Sequence, residues 1–224
     1  MKYGWTNYKL HSCKDCINYK LGNCKFKNKE VCSNGRYNSY YAAVSNVPKN
    51  RIGEKVKLAN LRENLLTTYK YIEEAVNSGY LAVFRPYKRS YGMTTFGISL
   101  INQYISKLDI IIDNLPLYAT YFDAFDYVVS YRKFIDGKLD DGVKNYSIQN
   151  IQETPFFILD GLGNTKYSPF EFDLLKALIN FRKSGKLCTF IIEATPNTIH
   201  PEQRKLLLDG FNIFEIDSPL WSRE

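Results

Sequence analysis

Residues 87 to 95 read Tyr-Lys-Arg-Ser-Tyr-Gly-Met-Thr-Thr, between the apolar run Tyr80 to Phe84 and the stretch Phe96 to Leu100. A loop set this way between a buried strand and a helix holds phosphates when it spells G-x-x-x-x-G-K-[ST]. Glycines let backbone N–H groups wrap the phosphates, a lysine reaches the β and γ oxygens, and a hydroxyl holds Mg²⁺. Gly92, Thr94 and Thr95 fit that pattern, whereas Tyr87 stands where the first glycine belongs and Met93 where the lysine belongs. A second chemistry lies near the N-terminus, where four of the five cysteines are spaced Cys13-x2-Cys16-x7-Cys24-x7-Cys32. A C-x2-C knuckle offers two thiolates from one tight turn, and two later cysteines close a tetrahedral shell around zinc. The segment between them is polar, with Asn18, Gly22, Asn23, Asn28 and Asn34. Metal binding would supply the folding free energy that apolar burial there does not.

An iron–sulfur cluster and a pair of disulfides are the alternatives to structural zinc, with His11 a substitute ligand. Zinc at these four cysteines is a structural site, because catalytic zinc keeps an open position and favours His or carboxylate ligands. Cys188, alone in the apolar run Leu187 to Ile192, reads as a buried strand residue.

The elements that must position the loop follow from the hydrophobic pattern. With 224 residues and 45% hydrophobic composition, the chain suffices for one medium domain and a small appendage. Leu61, Leu65, Tyr69, Ile72 and Val76 recur at helical spacing, predicting a helix over 58–77 that Asn77-Ser78-Gly79 stops. Strands are expected at 80–84, 109–113, 155–159, 187–193 and 211–216, and helices at 94–107, 170–183 and 201–208. Residues 116–135, with Tyr118, Tyr121, Phe122, Phe125, Tyr127 and Tyr131, read as an aromatic-rich helix. Such a stripe can stack nucleic-acid bases, but its period of three to four favours core packing. Strands alternating with helices imply a largely parallel sheet covered on both faces, an α/β fold whose ligands bind at the carboxyl ends of the strands. The loop after Phe84, Asp160 and the segment from Thr195 to Asn197 converge there.

The net charge of +7 is concentrated at one end. Residues 1–60 hold twelve Lys/Arg against three Asp/Glu, while residues 61–224 hold eighteen against twenty. The basic stretch suits phosphate backbones or an acidic protein surface, or it is a solvated face. No run of about 18 apolar residues spans a bilayer and no apolar leader opens the chain, so a cytoplasmic location is expected. Abundant tyrosine and asparagine with sparse alanine suit an A/T-rich genome.

In this order the segments resemble the AAA+ bacterial helicase loaders of the DnaC/DnaI type and the transposition ATPase IstB, over residues 46–224. Asn46-Val47-Pro48-Lys49-Asn50-Arg51 is similar to the lead-in of that domain, and Gly79 to Ser99 to its Walker A strand, loop and helix. Phe156 to Asp160 with Gly161-Leu162-Gly163 is similar to its Walker B run. Leu174 to Arg182 followed by Gly185 to Ile192 resembles the stretch that comes next. The resemblance implies a P-loop NTPase fold over 57–224, without a C-terminal lid, behind a zinc-binding module at 1–36 and a linker at 37–56. It also implies that Thr94 and Asp160 hold Mg²⁺ with ATP or ADP, with Lys88 or Arg89 partly replacing the lysine and Asn197 in the sensor position. Gly161 stands where a second acid would orient the attacking water, so two parts of hydrolysis are missing and no catalytic residue is assigned. Arg204 and Arg223 match trans-acting or sensor arginines by position only, and read as ordinary surface arginines.

The implied role is a DNA-replication accessory protein of a phage or mobile element. Its partners would be a replicative helicase or another replisome protein, with single-stranded DNA as a further ligand and oligomer formation open, and it would not turn over ATP. An active atypical ATPase that loads helicase or remodels a transposition complex is the alternative. A zinc-containing DNA-binding regulator is a third.

Overall fold

The computed structural model describes residues 47, 51, 56, 61–88, 91–107, 119–136, 152–194 and 199–220. The four clustered cysteines, the strand expected at 109–113, Arg89, Asn197 and Arg223 lie outside the described residues.

Two short helices, α1 (Glu63–Lys70) and α2 (Ile72–Asn77), lead into strand β1 (Leu81–Pro86) and the long helix α3 (Met93–Lys107). Strand β2 (Ala119–Asp123) and helix α4 (Ala124–Ile135) follow, then β3 (Phe156–Leu162), α5 (Pro169–Ser184), β4 (Cys188–Glu193), α6 (Pro201–Leu208) and β5 (Asn212–Ile216). The five strands pair in the order β2-β3-β4-β1-β5, and every pairing is parallel.

Alternation along the strands divides two cores. Phe84, Phe156, Ile158, Phe190 and Ile192 face one way, against Phe96, Leu100 and Ile101 of α3 and Leu65 and Ile72 of α1 and α2. Val83, Phe157, Leu159 and Ile191 face the other, against Tyr127 of α4, Leu175 and Leu178 of α5 and Leu207 of α6. Phe84 is the hub of the first core, edge-on to Phe96 and Phe190 at 5.5 Å and stacked on Phe214 at 5.3 Å. Each fully buried phenylalanine contributes about 1.5–3 kcal/mol, so these rings dominate the energetics of the face that carries the loop. Val47 and Val56, inside the stretch read as a linker, are also buried in this core.

Two sequence expectations change. The helix over 58–77 is two helices, because Tyr71 leaves helical geometry at φ −106° and ψ 33°. The stack still continues through it, with Tyr71 N–H donating to Thr67 O and Ala75 N–H to Tyr71 O at 3.0 Å each. The aromatic region at 116–135 is not one helix. Ala119 to Asp123 forms β2, buried at its first four positions and fully paired with β3, and only then does α4 begin. A short run of Thr, Tyr and Phe fits a buried strand as well as a helix, and periodicity alone does not separate them. Asp123 makes the junction: its side chain accepts from the N–H groups of Phe125 and Asp126, capping α4. The aromatic side chains themselves pack as expected, with Tyr121, Phe122 and Tyr127 buried.

Helix α5 starts on a capping box, Ser168 with Glu171, and has Pro169 in its first turn. At its far end Arg182 is fully buried: it donates to Thr189 Oγ1 at 2.8 Å and to the carbonyl of Cys188 at 2.6 Å, and lies over the Phe157 ring. Cys188 is buried on β4, as its setting implied.

Candidate functional site

The parallel order brings the carboxyl ends of β1, β3 and β4 to one edge, where ligands bind in sheets of this kind. The chain passes from β1 through a loop into α3, and the N-terminal turn of α3 carries Met93, Thr94 and Thr95. Gly92 precedes the helix at φ 80°, a left-handed conformation that suits glycine.

At the end of β3, Asp160 is 5% exposed and accepts a hydrogen bond from the Tyr121 hydroxyl of β2 at 2.7 Å. The Thr94 hydroxyl and the Gly161 N–H also donate to it. Burial pushes the Asp160 carboxyl above the ordinary aspartate range, while these bonds and the charge of Arg51 pull it back. The Tyr121 hydroxyl is held far above its usual value by burial and the Asp160 carboxylate, and so it stays a donor. Arg51 reaches in from the segment before α1 and donates to Thr95 Oγ1 at 2.7 Å.

Asp123 lies directly across from Asp160 in the β2–β3 register. Burial also raises its carboxyl, against the two backbone bonds that lower it. On the other side of β3, its ladder with β4 slips: Leu159 pairs with Ile191 and Leu162 with Glu193, so β3 spends one residue more than its partner. This bulge contains Gly161, at φ +72°. A Cβ added there would lie 2.4 Å from Asn164 Nδ2 and 2.9 Å from Asp123 Oδ2. Any acid at 161 would therefore need both an unfavourable backbone conformation and the displacement of two side chains.

Met93, in the lysine position, is 3% exposed and belongs to the first core. The loop itself is tied to the chain after β5. Tyr87 N–H donates to Ile216 O at 2.9 Å, Leu220 N–H to Tyr91 O at 3.1 Å, and the Tyr91 hydroxyl to Asp217 O at 3.1 Å. Arg62 holds the same segment through Asp217 and Ser218.

Of the residues the sequence singled out, Thr94 and Asp160 come into direct contact, with Thr95 beside them and Gly92 at the helix start. Lys88 is exposed on the loop. Three residues of the cluster, Arg51, Tyr121 and Asp123, were not assigned from sequence. Arg51 lies in the lead-in motif, which was a usable signal; the other two depend on β2, which the periodicity had read as helix.

The donor set fits part of a magnesium–nucleotide site. A hydroxyl and a carboxylate at a helix N-terminus are the right oxygens for a hard cation, and Arg51 is a nearby charge for a phosphate. The cation at the centre of the loop is missing, and Asp160 already has three donors.

A second cluster borders this edge. Glu193, fully buried at the end of β4, is bridged by Arg85 of β1 and by Arg204 Nε of α6, the latter at 2.9 Å; Arg85 also reaches Glu215 at 3.0 Å. Arg204, read from sequence as an ordinary surface arginine, is instead partly buried, with its side chain 19% exposed, and closes a network with buried Glu193.

No protein-family model matches the sequence, and no curated protein matches it. Solved structures do share its fold. A DnaC helicase loader matches with a TM-score of 0.56 and 15% identity, over 76% of this chain and 100% of that one. DnaI matches with a TM-score of 0.54 and 14% identity, over 77% and 96%. AMPPCP-bound DnaA from Aquifex aeolicus matches with a TM-score of 0.50 and 14% identity, over 72% of this chain and 50% of that one. The chain shares the fold of these DnaC and DnaI structures: among the described residues, a five-stranded parallel sheet covered by helices. No helix among the described residues is long and apolar enough to cross a membrane.

Proposed function

We propose that this chain is a helicase-loader-like accessory protein of DNA replication that binds a replicative helicase or another replisome protein without turning over ATP. The fold likeness to DnaC and DnaI supports the setting. The observation that carries the loss of turnover is the role of Met93: at the position of the phosphate-binding lysine, it is a core side chain. Gly161 adds to it, since the second acid's position is a left-handed bulge residue where a side chain would have to displace Asn164 and Asp123. Two contributions to phosphoryl transfer are thereby absent: neutralisation of the β and γ phosphates and orientation of water.

In this reading the four cysteines Cys13, Cys16, Cys24 and Cys32 hold a structural zinc, and the basic N-terminal region they belong to grips the partner. The sheet domain then presents its carboxyl edge and helices as a rigid surface, with single-stranded DNA as a further ligand. Assembly is driven by binding free energy alone.

The alternative, an active atypical ATPase, draws on the retained Thr94–Asp160 pair and on Arg51 beside Thr95. Two assays separate the readings. Affinity capture of the full chain from its native cell, with mass identification, is expected to recover a helicase or replisome protein. The purified chain is expected to show no ATPase activity. A rate abolished by Asp160→Ala would overturn the proposal. Metal analysis of the same sample is expected to give one zinc per chain.

A further inference from the structure

Strand β5 is the outer strand of the sheet among the described residues, pairing there with β1 alone. Tyr87 N–H donates to Ile216 O, so Ile216 turns its backbone groups toward β1. The period of two then turns the N–H and C=O of Ile213 and Glu215 away from the sheet, toward the open edge. The strand reads Asn-Ile-Phe-Glu-Ile, with neither a proline nor a lysine to blunt that edge. The Ile213 side chain is 48% exposed on the face that α6 covers.

Beside it, a groove of about 380 Å³ runs between α6 and β5. Its charged lining is Arg85, Arg204 and Lys205 against Asp209, and Leu208 and Ile213 are among its apolar walls. Arg85 is engaged by Glu193 and Glu215. Arg204 is not fully engaged: Nε is bonded to Glu193, but Nη2 is buried and has no hydrogen-bond partner among the described residues. A buried guanidinium nitrogen without an acceptor carries a desolvation cost, which an incoming carboxylate would relieve once the Arg204 side chain turns toward the groove.

We infer that the α6–β5 groove binds an extended segment of a partner protein in which acidic and apolar side chains alternate. The segment adds to the open edge of β5 through Ile213 and Glu215, lays an apolar side chain beside Ile213, and brings a carboxylate to Arg204. Main-chain pairing gives such a contact its affinity and alternate side chains give it selectivity. An aliphatic wall with a few cations suits a peptide. A nucleic-acid backbone would call for a longer basic stripe. The source of the segment rests on the reading of this chain as a partner-binding replication protein; the groove itself does not.

The test is a titration of the isotopically labelled full chain, followed by amide and arginine side-chain resonances. The probe is acetyl-Glu-Val-Glu-Val-Glu-amide. Saturable shifts are expected over residues 211–216 and at the Arg204 side chain. A lysine-for-glutamate version of the probe and a version N-methylated at alternate residues are each expected to bind at least about tenfold more weakly. Arg204→Lys keeps the charge but removes the unsatisfied donor, and is expected to weaken binding about tenfold. Lys205→Glu, on the exposed side of α6, should fold normally and also weaken it. The inference is overturned if the β5 amides do not respond, if the N-methylated probe binds equally well, or if a short oligothymidylate shifts the groove and the peptide does not. Such a failure with helicase capture intact would leave the loader reading standing. Peptide binding without capture would sink that reading and keep the groove.

Discussion

Gly161→Ala tests the position at which the proposed reading has a second acid missing. At φ +72° an alanine carries the left-handed penalty of about 1–2 kcal/mol. Its Cβ would also lie 2.4 Å from Asn164 Nδ2 and 2.9 Å from Asp123 Oδ2. Asn164 can swing aside at little cost, since only the end of its side chain is in the way. Asp123 cannot, because its other oxygen caps α4 through Phe125 and Asp126; losing that cap costs about 1 kcal/mol. The expected total is about 2–3 kcal/mol. In a chain of this size each kcal/mol shifts the melting temperature by about 2–4 °C, so thermal unfolding should fall by roughly 4–12 °C. Urea unfolding should show the same loss with an unchanged slope. Gly161→Glu, which restores the acid, should cost at least as much, because a third carboxylate joins Asp123 and Asp160, and it should gain no ATPase activity. An alanine variant within about 0.5 kcal/mol of the parent would refute the reasoning, since position 161 would then be free to hold a side chain.

Three further perturbations probe the same framework. Met93→Lys places an ammonium among core side chains and should destabilise the chain by about 3 kcal/mol or more in urea unfolding, without creating ATP binding by calorimetry; a stable variant that binds ATP would overturn the assignment of Met93 to the core. Arg182→Ala strips the donors from Thr189 and the Cys188 carbonyl and leaves a cavity, for an expected loss of about 3–5 kcal/mol that Arg182→Lys does not restore, the buried guanidinium being pulled down to about 9 by burial alone; equal stability of the lysine variant would argue against a role for the planar fork. Burial raises the Asp160 and Asp123 carboxyls above the ordinary 3.8, so the stability they give is complete below that pH and is lost as pH rises through the raised values. Asp160→Asn removes one of these titrations, and unfolding free energies measured from pH 3.8 upward should show the variant gaining on the parent; a pH-independent difference would count against the raised carboxyl.

The sequence exposed the parts of this site that are local and hid those that depend on register. Gly92 and Thr94 were found from the loop pattern, because a strand, loop and helix are contiguous, and Asp160 from its place at the end of an apolar run that resembles a Walker B segment. Tyr121 and Asp123 were not, since their contacts require β2 to lie beside β3 with Asp123 opposite Asp160. Four buried positions in a row erase the alternation that would have marked a strand. Glycine at 161 was legible as a missing acid, but its left-handed backbone was not: composition does not report φ. Arg51 was visible as a motif residue, though its bond to Thr95 joins positions 44 residues apart.

On the proposed reading without ATP turnover, the departures at Met93 and Gly161 are not independent of the architecture that surrounds them. Had Met93 been a solvent-facing substitution and Gly161 an ordinary strand residue, two point changes would return the chain to a hydrolytic pattern. Instead each position has acquired a structural duty. Met93 fills the core beneath the loop, and Gly161 sits in the β3 bulge, leaving the space beside Asp123 Oδ2 free of a side chain. The neighbouring bonds serve the fold as well. Asp160 accepts from Thr94 of α3 and Tyr121 of β2, so the acid that would face Mg²⁺ joins three elements of the fold. The loop's backbone is taken up by Ile216 and Leu220. Placing a lysine at 93 and an acid at 161 therefore demands repacking of a core, unwinding of a bulge and release of a strap together, and each step is unfavourable before the next is made.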